Sequence, residues 1–176
     1  MELVAVDDDA TTAAARYLLG EYLSWVAGVA AEQHGLVFDT EAMLASDIGD
    51  RSKFYAPSGR FYLLREAQAF IGVGALRRID ASTAEIQRMV VQPPWRGRGA
   101  ARLMLARLLD DARALGCHVV RLESLKSLAP AHALYRSAGF VEVAAHDDNG
   151  MRGYQADAAR DAYRAAAVFM ALRLRR

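Results

Sequence analysis

The sequence predicts an α/β fold built on a mixed sheet. Three stretches carry that prediction. Phe61–Glu66 and Phe70–Arg78 are strand-like runs joined by a link too short for a helix, so they form a hairpin. Ala84–Gln92, Ala100–Leu115 and Cys117–Leu125 read strand, helix, strand, a length that demands a parallel, right-handed crossover. Val168–Leu174 alternates as a closing strand. With 176 residues, 53% hydrophobic and 24% charged, the chain fits one globular domain over 1–176.

The remaining elements follow in order. Leu3–Val6 is a short strand stopped by Asp7-Asp8-Asp9, where an acid or a threonine can cap the next helix. From Ala10 to His34 the apolar positions Ala14, Tyr17, Leu18, Tyr22, Trp25, Val26 and Val29 recur at threes and fours. That spacing predicts an amphipathic helix with its aromatics in the core. Thr40 caps a second helix within Phe38–Asp50, and Ser52–Gly59 reads as loop. Gly72 and Gly74 mark a bulge or a close approach in their strand. In Ala84–Gln92, Glu85, Gln87, Met89 and Val91 share one face and Ile86, Arg88 and Val90 the other. Charge on both faces is unusual for a strand in the middle of a sheet. Ser127 caps a short helix over Leu128–Ala138, Phe140–Ala144 is a strand, and Asp147–Gly150 is a turn. Met151–Ala166 has helical composition.

The net charge of +1 argues against a general nucleic-acid or membrane surface. The single cysteine, Cys117, leaves no internal disulfide, and no run approaches a membrane span. The expectation is a cytoplasmic protein without metal, since His118 and His132 form no defensible cluster.

The chemistry concentrates in Gln92–Ala101, QPPWRGRGAA, between a strand and a long helix. Gly97 and Gly99 permit unusual backbone angles and close ligand approach. The helix start offers unpaired N–H groups and the positive dipole end, and Arg96, Arg98 and Arg102 add charge. Together these suit a phosphate or pyrophosphate. No Lys-Ser or Lys-Thr closes the turn as a P-loop requires, and G-R-G-A-A-R fails the dinucleotide fingerprint at its sixth position. The alternative is a basic connection with no ligand.

Arg96-x-x-Gly99-x-Ala101 resembles the [QR]-x-x-G-x-[GA] turn of the GNAT superfamily of N-acetyltransferases. Ala133-Leu134-Tyr135-Arg136-Ser137-Ala138-Gly139-Phe140 looks like that family's A-L-Y-x-x-x-G-F signature, and Val168–Leu172 resembles the F-M-x-L ending of small bacterial members. The resemblance implies a mostly antiparallel sheet of six to seven strands with a splayed central parallel pair and helices on both faces. It implies acetyl-CoA as donor, its pantetheine arm along the backbone of Met89-Val90-Val91 and its pyrophosphate on the N–H groups of Gly97, Arg98, Gly99, Ala100, Ala101 and Arg102, beyond Arg96.

The acceptor is then a primary amine of a small molecule or protein, acetylated by direct attack in a ternary complex. The Val91 N–H is a candidate to polarise the thioester carbonyl. Tyr135 is placed by the resemblance near the sulfur, both as cofactor contact and as acid. A phenol of pKa about 10 can donate to a thiolate of about 8.5, the alternative being a packing role. Glu85 stands eleven positions before Arg96, the offset of a glutamate base in histone-acetylating relatives. Its alternative is a strand-end carboxylate paired with Arg88 or Arg78. His118 and His132 are weaker bases, and Cys117 is not excluded as an acyl carrier by position. Many relatives carry asparagine where this chain has Leu128, which weakens one cofactor contact.

The region Tyr22–Phe38 forms one wall of the acceptor cleft by the same resemblance, and Met151–Ala166 shapes or covers it. The rival is a non-catalytic acyl-CoA-binding sensor or scaffold. A transferase for longer acyl chains is a third reading, set by the space near Leu76, Met89 and Leu125. A C-terminal edge strand would favour a homodimer.

Overall fold

The computed structural model describes residues 1–146 and 157–175. Seven strands form one sheet in the order β1-β2-β3-β4-β5-β7-β6. They are β1 (Glu2–Ala5), β2 (Gly59–Glu66), β3 (Ala69–Arg78), β4 (Thr83–Val91), β5 (Val119–Leu125), β6 (Val141–Glu142) and β7 (Ala167–Arg173). Every neighbour pair is antiparallel except β4 and β5. The α/β class, the hairpin and the parallel crossover all stand.

Helix α1 (Asp9–His34) begins with a capping box in which the Asp8 carboxylate accepts from the Thr11 N–H at 2.7 Å. It ends at Gly35 in a left-handed conformation, φ +65°. Leu18, Leu19 and Leu23 are its buried face, but Tyr17 is 63% and Trp25 46% exposed. The aromatics assigned to the core therefore divide: Tyr22 is half-buried, and the other two face outward. Helix α2 (Thr40–Gly49) is capped by Asp39 rather than Thr40, the Asp39 carboxylate accepting from the Ala42 N–H at 2.9 Å. The stretch read as loop contains the one-turn helix α3 (Arg51–Phe54), which Asp50 caps through Ser52.

These three helices cover one face of the sheet, where Phe54, Phe61, Leu63, Val73 and Ala75 are buried together. Helix α4 (Ala100–Ala114) covers the other through Met104, Leu105 and Leu108, packed on Leu64, Ile71, Leu76 and Ile86. Helix α5 (Ala129–Ser137) adds Tyr135 to the same core. It starts at Leu128 without a side-chain cap, because the Ser127 hydroxyl bonds His34 Nε2 at 3.2 Å instead. Helix α6 (Asp157–Ala166) occupies the second part of the stretch read as helical; residues 151–156 and the 147–150 turn lie outside the described residues. The strand read over Phe140–Ala144 shortens to β6, Val141–Glu142, with the Val143 N–H donating to the Phe169 carbonyl of β7 at 2.9 Å. The C-terminal strand is not an edge: β7 lies between β5 and β6, so the edge argument for a homodimer loses its premise.

Two irregularities shape the middle of the sheet. Between Val73 and Ala75 the β3–β4 register shifts: Ala75 faces Gln87, while Val73 faces Val90. Strand β4 thus holds one extra residue, and Arg88 there takes φ +56°. The bulge reverses the alternation, so Met89 and Val91 join Ile86 on the α4 face rather than sharing a face with Glu85. The two glycines have separate reasons. A Cβ on Gly74 would meet Met104 Cγ at 2.8 Å, and one on Gly72 would meet the Val90 carbonyl oxygen at 2.7 Å. Because backbone yields less than a flexible side chain, Gly72→Ala is expected to cost about 1–3 kcal/mol, seen as a fall in melting temperature with unchanged secondary structure. An unchanged melting point would show that the β3–β4 spacing is not fixed by this contact.

The second irregularity is the parallel pair itself. Only Thr83–Val119, Ala84–Val120 and Glu85–Arg121 are in register. Beyond them β4 and β5 diverge, and the splay expected at the centre of the sheet is present.

Candidate active site

The glycine turn sits at the open end of that splay. After β4 the chain makes a 3-10 turn, Pro93–Trp95, and enters α4 through Gly97 (φ +75°) and Gly99 (φ +84°). Gly99 is the residue before the helix and provides no side-chain cap. The first-turn N–H groups, at Ala100, Ala101 and Arg102, have no carbonyl within the helix to donate to and stand at the positive end of its dipole. Arg96 ties the turn to the strand: its Nε donates to the Val91 carbonyl at 2.9 Å, and its guanidinium lies 5.8 Å from the Trp25 ring of α1. Arg98 lies over Trp95 at 5.1 Å, and Arg102 is exposed on α4.

Hydrogen bonding on β4 determines what faces the gap. The Gln92 N–H donates to the Ile71 carbonyl at 2.9 Å, so residues 92 and 71 form a bonded antiparallel pair. The next pair, Val91 with Gly72, is then of the non-bonded kind, its amide groups turned away from the partner strand. The Val91 N–H consequently points from β3 toward the gap, the orientation expected of a carbonyl-polarising donor.

Two phenols approach the gap from opposite layers. Tyr135 comes from α5, 6% exposed, its ring 5.8 Å from Phe140. Burial, reinforced by the neighbouring Tyr22, pushes its hydroxyl well above the ordinary phenol value, so it stays protonated. Tyr22 comes from α1, and burial raises its hydroxyl too. On the Tyr22 side lies a cavity of about 70 Å³. Tyr22, Val26, Phe38, Glu123, Leu125 and Tyr163 are among its lining residues. Tyr163 is held well above its usual value, by burial first and then by the charge of Glu123.

Glu85 occupies the closed end of the splay, at the last paired position, and is fully buried. It accepts from Arg121 Nε at 3.0 Å and from the Gln87 amide, with Arg77 at 4.0 Å and His146 at 3.9 Å. Its partners are thus Arg121 and Arg77 rather than Arg88 or Arg78. Burial alone would raise its carboxyl, but the neighbouring His146, the bond from Gln87 and the charges of Arg121 and Arg77 outweigh it. They hold the group below its ordinary value of 4.5. A carboxylate depressed in the fold stabilises the fold fully above the unfolded value, and that contribution disappears as pH falls through the folded one. Wild type should therefore lose stability as pH drops below about 4.5, and Glu85→Gln should flatten that acid limb in pH-dependent melting. An identical acid limb in the variant would mean that Glu85 is not its source.

The sequence of residues 24–140 matches the Acetyltransferase (GNAT) family. The chain belongs to this family. Among characterised relatives of this GNAT chain, the IAA acetyltransferase of Azospirillum brasilense is 37% identical over 49% of the chain and 57% of its own length. The mycothiol acetyltransferase of Beutenbergia cavernae is 42% identical over 41% of the chain and 24% of its own. The aligned parts thus span just over half of the first relative and about a quarter of the second. An acetyltransferase structure from Streptococcus agalactiae superposes with TM-score 0.72 at 19% identity, covering 98% of both chains. One from Salmonella typhimurium, described with its cofactor acetyl-CoA, gives 0.63 at 21% identity, covering 100% of this chain and 95% of its own. At such identities the likeness is one of fold.

The other positions singled out from sequence disperse. His118 is exposed at the start of β5. His132 is 4% exposed in α5, with burial and the charge of Arg136 holding its ring below the ordinary value. Cys117 is 3% exposed beside the β3–β4 turn, at the end of β4 away from Val91, and burial raises its thiol. A buried, protonated thiol there does not suit an acyl carrier. Leu76 and Met89 lie in the α4 core, and of the three positions tied to acyl length only Leu125 lines the cavity. Among the described residues no helix is long and apolar enough to cross a membrane.

Sequence reading missed Glu123, Tyr163 and Asp47, and took Arg88 only as an alternative partner of Glu85. Glu123 had a visible signal: in Val119–Leu125 it falls on the same side as Arg121, two residues along the alternation.

Proposed function

We propose that the protein is an N-acetyltransferase that moves the acetyl group of acetyl-CoA to a primary amine by direct attack in a ternary complex. The observation supporting this most is one of placement. An uncapped helix start and a Val91 amide turned away from β3 stand at the diverging end of β4 and β5, and a cavity lined by residues of both strands opens beside Tyr22.

In this reading the N–H groups of Gly97–Arg102, with Arg96, Arg98 and Arg102 around them, hold the pyrophosphate. The backbone of Met89-Val90-Val91 pairs with the pantetheine arm, and the Val91 N–H polarises the thioester carbonyl. The cavity holds the amine, its nitrogen directed through the splay. As the new C–N bond forms and the C–S bond breaks, Tyr135 gives its proton to the departing sulfur. The ammonium proton of the acceptor is taken by Glu123 at the cavity, directly or through water. Glu85 instead keeps the paired end of the splay closed, because a deeply buried carboxylate bonded to Arg121 and Gln87 is a poor base. The lining of Val26, Phe38, Leu125 and two tyrosines suits an amine on an apolar carrier.

Calorimetric titration with acetyl-CoA and CoA tests the reading first, followed by an amine screen with a free-thiol readout. Micromolar binding with thiol release dependent on an amine is the expected result. Binding without release from any amine would favour the acyl-CoA sensor, and no binding would overturn the donor assignment.

A further inference from the structure

Asp47 is a carboxylate on α2 with no exposed side-chain surface. Its Oδ1 accepts from Lys53 Nζ of α3, and its Oδ2 accepts from Arg88 Nε at 2.5 Å. Arg88 is 41 residues away in sequence, and only 9% of its side chain is exposed. A buried carboxylate taken from water by two cations gives little net stability compared with an apolar replacement of similar shape. What such a pair does supply is geometry. The geometry here is unusual: Arg88 is an L residue at φ +56°, the position where β4 gains its extra residue. Residues other than glycine resist that region, and a backbone held there persists only where its surroundings fix it.

Three residues further on, Val91 presents its N–H to the gap, and it does so because the bulge has shifted the parity of the strand. Without the extra residue, the amides of positions 90 and 91 would exchange directions. The conformation at Arg88 therefore decides whether a donor faces the gap. Asp47 anchors the side chain of Arg88 to α2.

We propose that Asp47 is a positioning residue for acyl transfer: acting through Arg88, it locks the β4 bulge and so aims the Val91 N–H at the thioester carbonyl. The inference rests on the reading of the gap as an acetyl-CoA site. Asp47 touches neither donor nor acceptor, and its effect is on carbonyl polarisation rather than on the pyrophosphate seat, which belongs to the glycine turn. Loosening the bulge should thus lower turnover while leaving the grip on CoA intact.

The test uses acetyl-CoA carrying ¹³C at the carbonyl and isotope-edited infrared spectroscopy, a readout that needs no acceptor. With wild type the carbonyl band should move to lower frequency on binding. With Asp47→Asn, which keeps the side-chain shape, most of that shift should be lost while calorimetric affinity for acetyl-CoA is retained. Arg88→Gly should behave similarly, because glycine takes the left-handed angle but has no tether. Adding Asp47→Asn to Arg88→Gly should then change the band no further, as expected for two groups acting as a unit. Asp47→Asn with a full wild-type shift and only a lower melting temperature would reduce Asp47 to a structural ion pair and overturn the proposal. Additive losses in the double variant would overturn the route through Arg88. Failure of wild type to bind acetyl-CoA at all would remove the site on which the inference rests, and shows itself before any variant is compared.

Discussion

Gly99→Asp is expected to weaken acetyl-CoA binding by roughly 100-fold, about 2.7 kcal/mol, while leaving the fold intact. Nothing lies within 4 Å of a Cβ built on Gly99, so the substitution meets no steric barrier. The left-handed angle of φ +84° adds a penalty of about 1–2 kcal/mol for an L residue, softened for aspartate, which tolerates this region better than most. The main effect is on the ligand. A carboxylate at this position can itself accept from the first-turn N–H groups of α4, as aspartate does at helix starts. It would fill the anion seat with a charge of the wrong sign. Gly99→Ala separates the two contributions, since alanine brings the backbone penalty without the charge. Calorimetry should rank the affinities wild type, alanine, aspartate, with the widest step last. Equal losses for alanine and aspartate would mean that the turn acts through its shape alone and that no pyrophosphate sits there.

Tyr135→Phe should lower kcat about 100-fold and leave acetyl-CoA affinity unchanged. The ring packs against Phe140 within the α4-side core, and phenylalanine keeps that packing, so little stability should be lost. What disappears is one proton donor. Burial holds the Tyr135 hydroxyl above its ordinary value of 10.0, so it remains protonated throughout the neutral range and no basic limb of kcat below about pH 10 should come from it. The same shift has a consequence for stability. A phenol raised in the fold stays neutral while the unfolded chain ionises, so wild type should lose stability as pH climbs above 10.0, and Tyr135→Phe should lose less. Unchanged turnover in the variant would leave Tyr135 with a packing role.

What was legible in the sequence was mostly contiguous. The glycine turn, its arginines and the following helix lie within about one helical turn of each other, and local chemistry alone specifies an anion seat. The crossover was legible because its length forbids an antiparallel return. The bulge was half-visible: Gly72 and Gly74 flagged the place, but the extra residue is on β4, at an arginine whose conformation no pattern announces. The exposed aromatics of α1 misled because heptad-like spacing describes a stripe without saying where that stripe stops. Tyr17 lies between buried Ala15 and Leu18 along the helix, but it is turned off the buried stripe they form with Leu19 and Leu23. The pairing of Glu85 with Arg121 could not be read at all, since it depends on which strand sits beside β4. The same holds for Asp47 and Arg88, 41 residues apart and brought together only by the fold. The interior position of β7 is likewise a topological fact: a chain end is not a sheet edge.

The three residue pairs joining β4 to β5 divide the sheet mechanically. On one side stand β1 to β4 with α1, α2 and α3; on the other, β5, β7 and β6. A backbone seam this short leaves the coupling of the halves to side chains of the core they share, so the two should protect their amides unequally from hydrogen exchange when no ligand is present. A donor molecule pairing with the unzipped stretch of β4 would extend the seam and weld the halves into one unfolding unit. Ligand occupancy would then be recorded in the sharpness of the melting transition as well as in its midpoint.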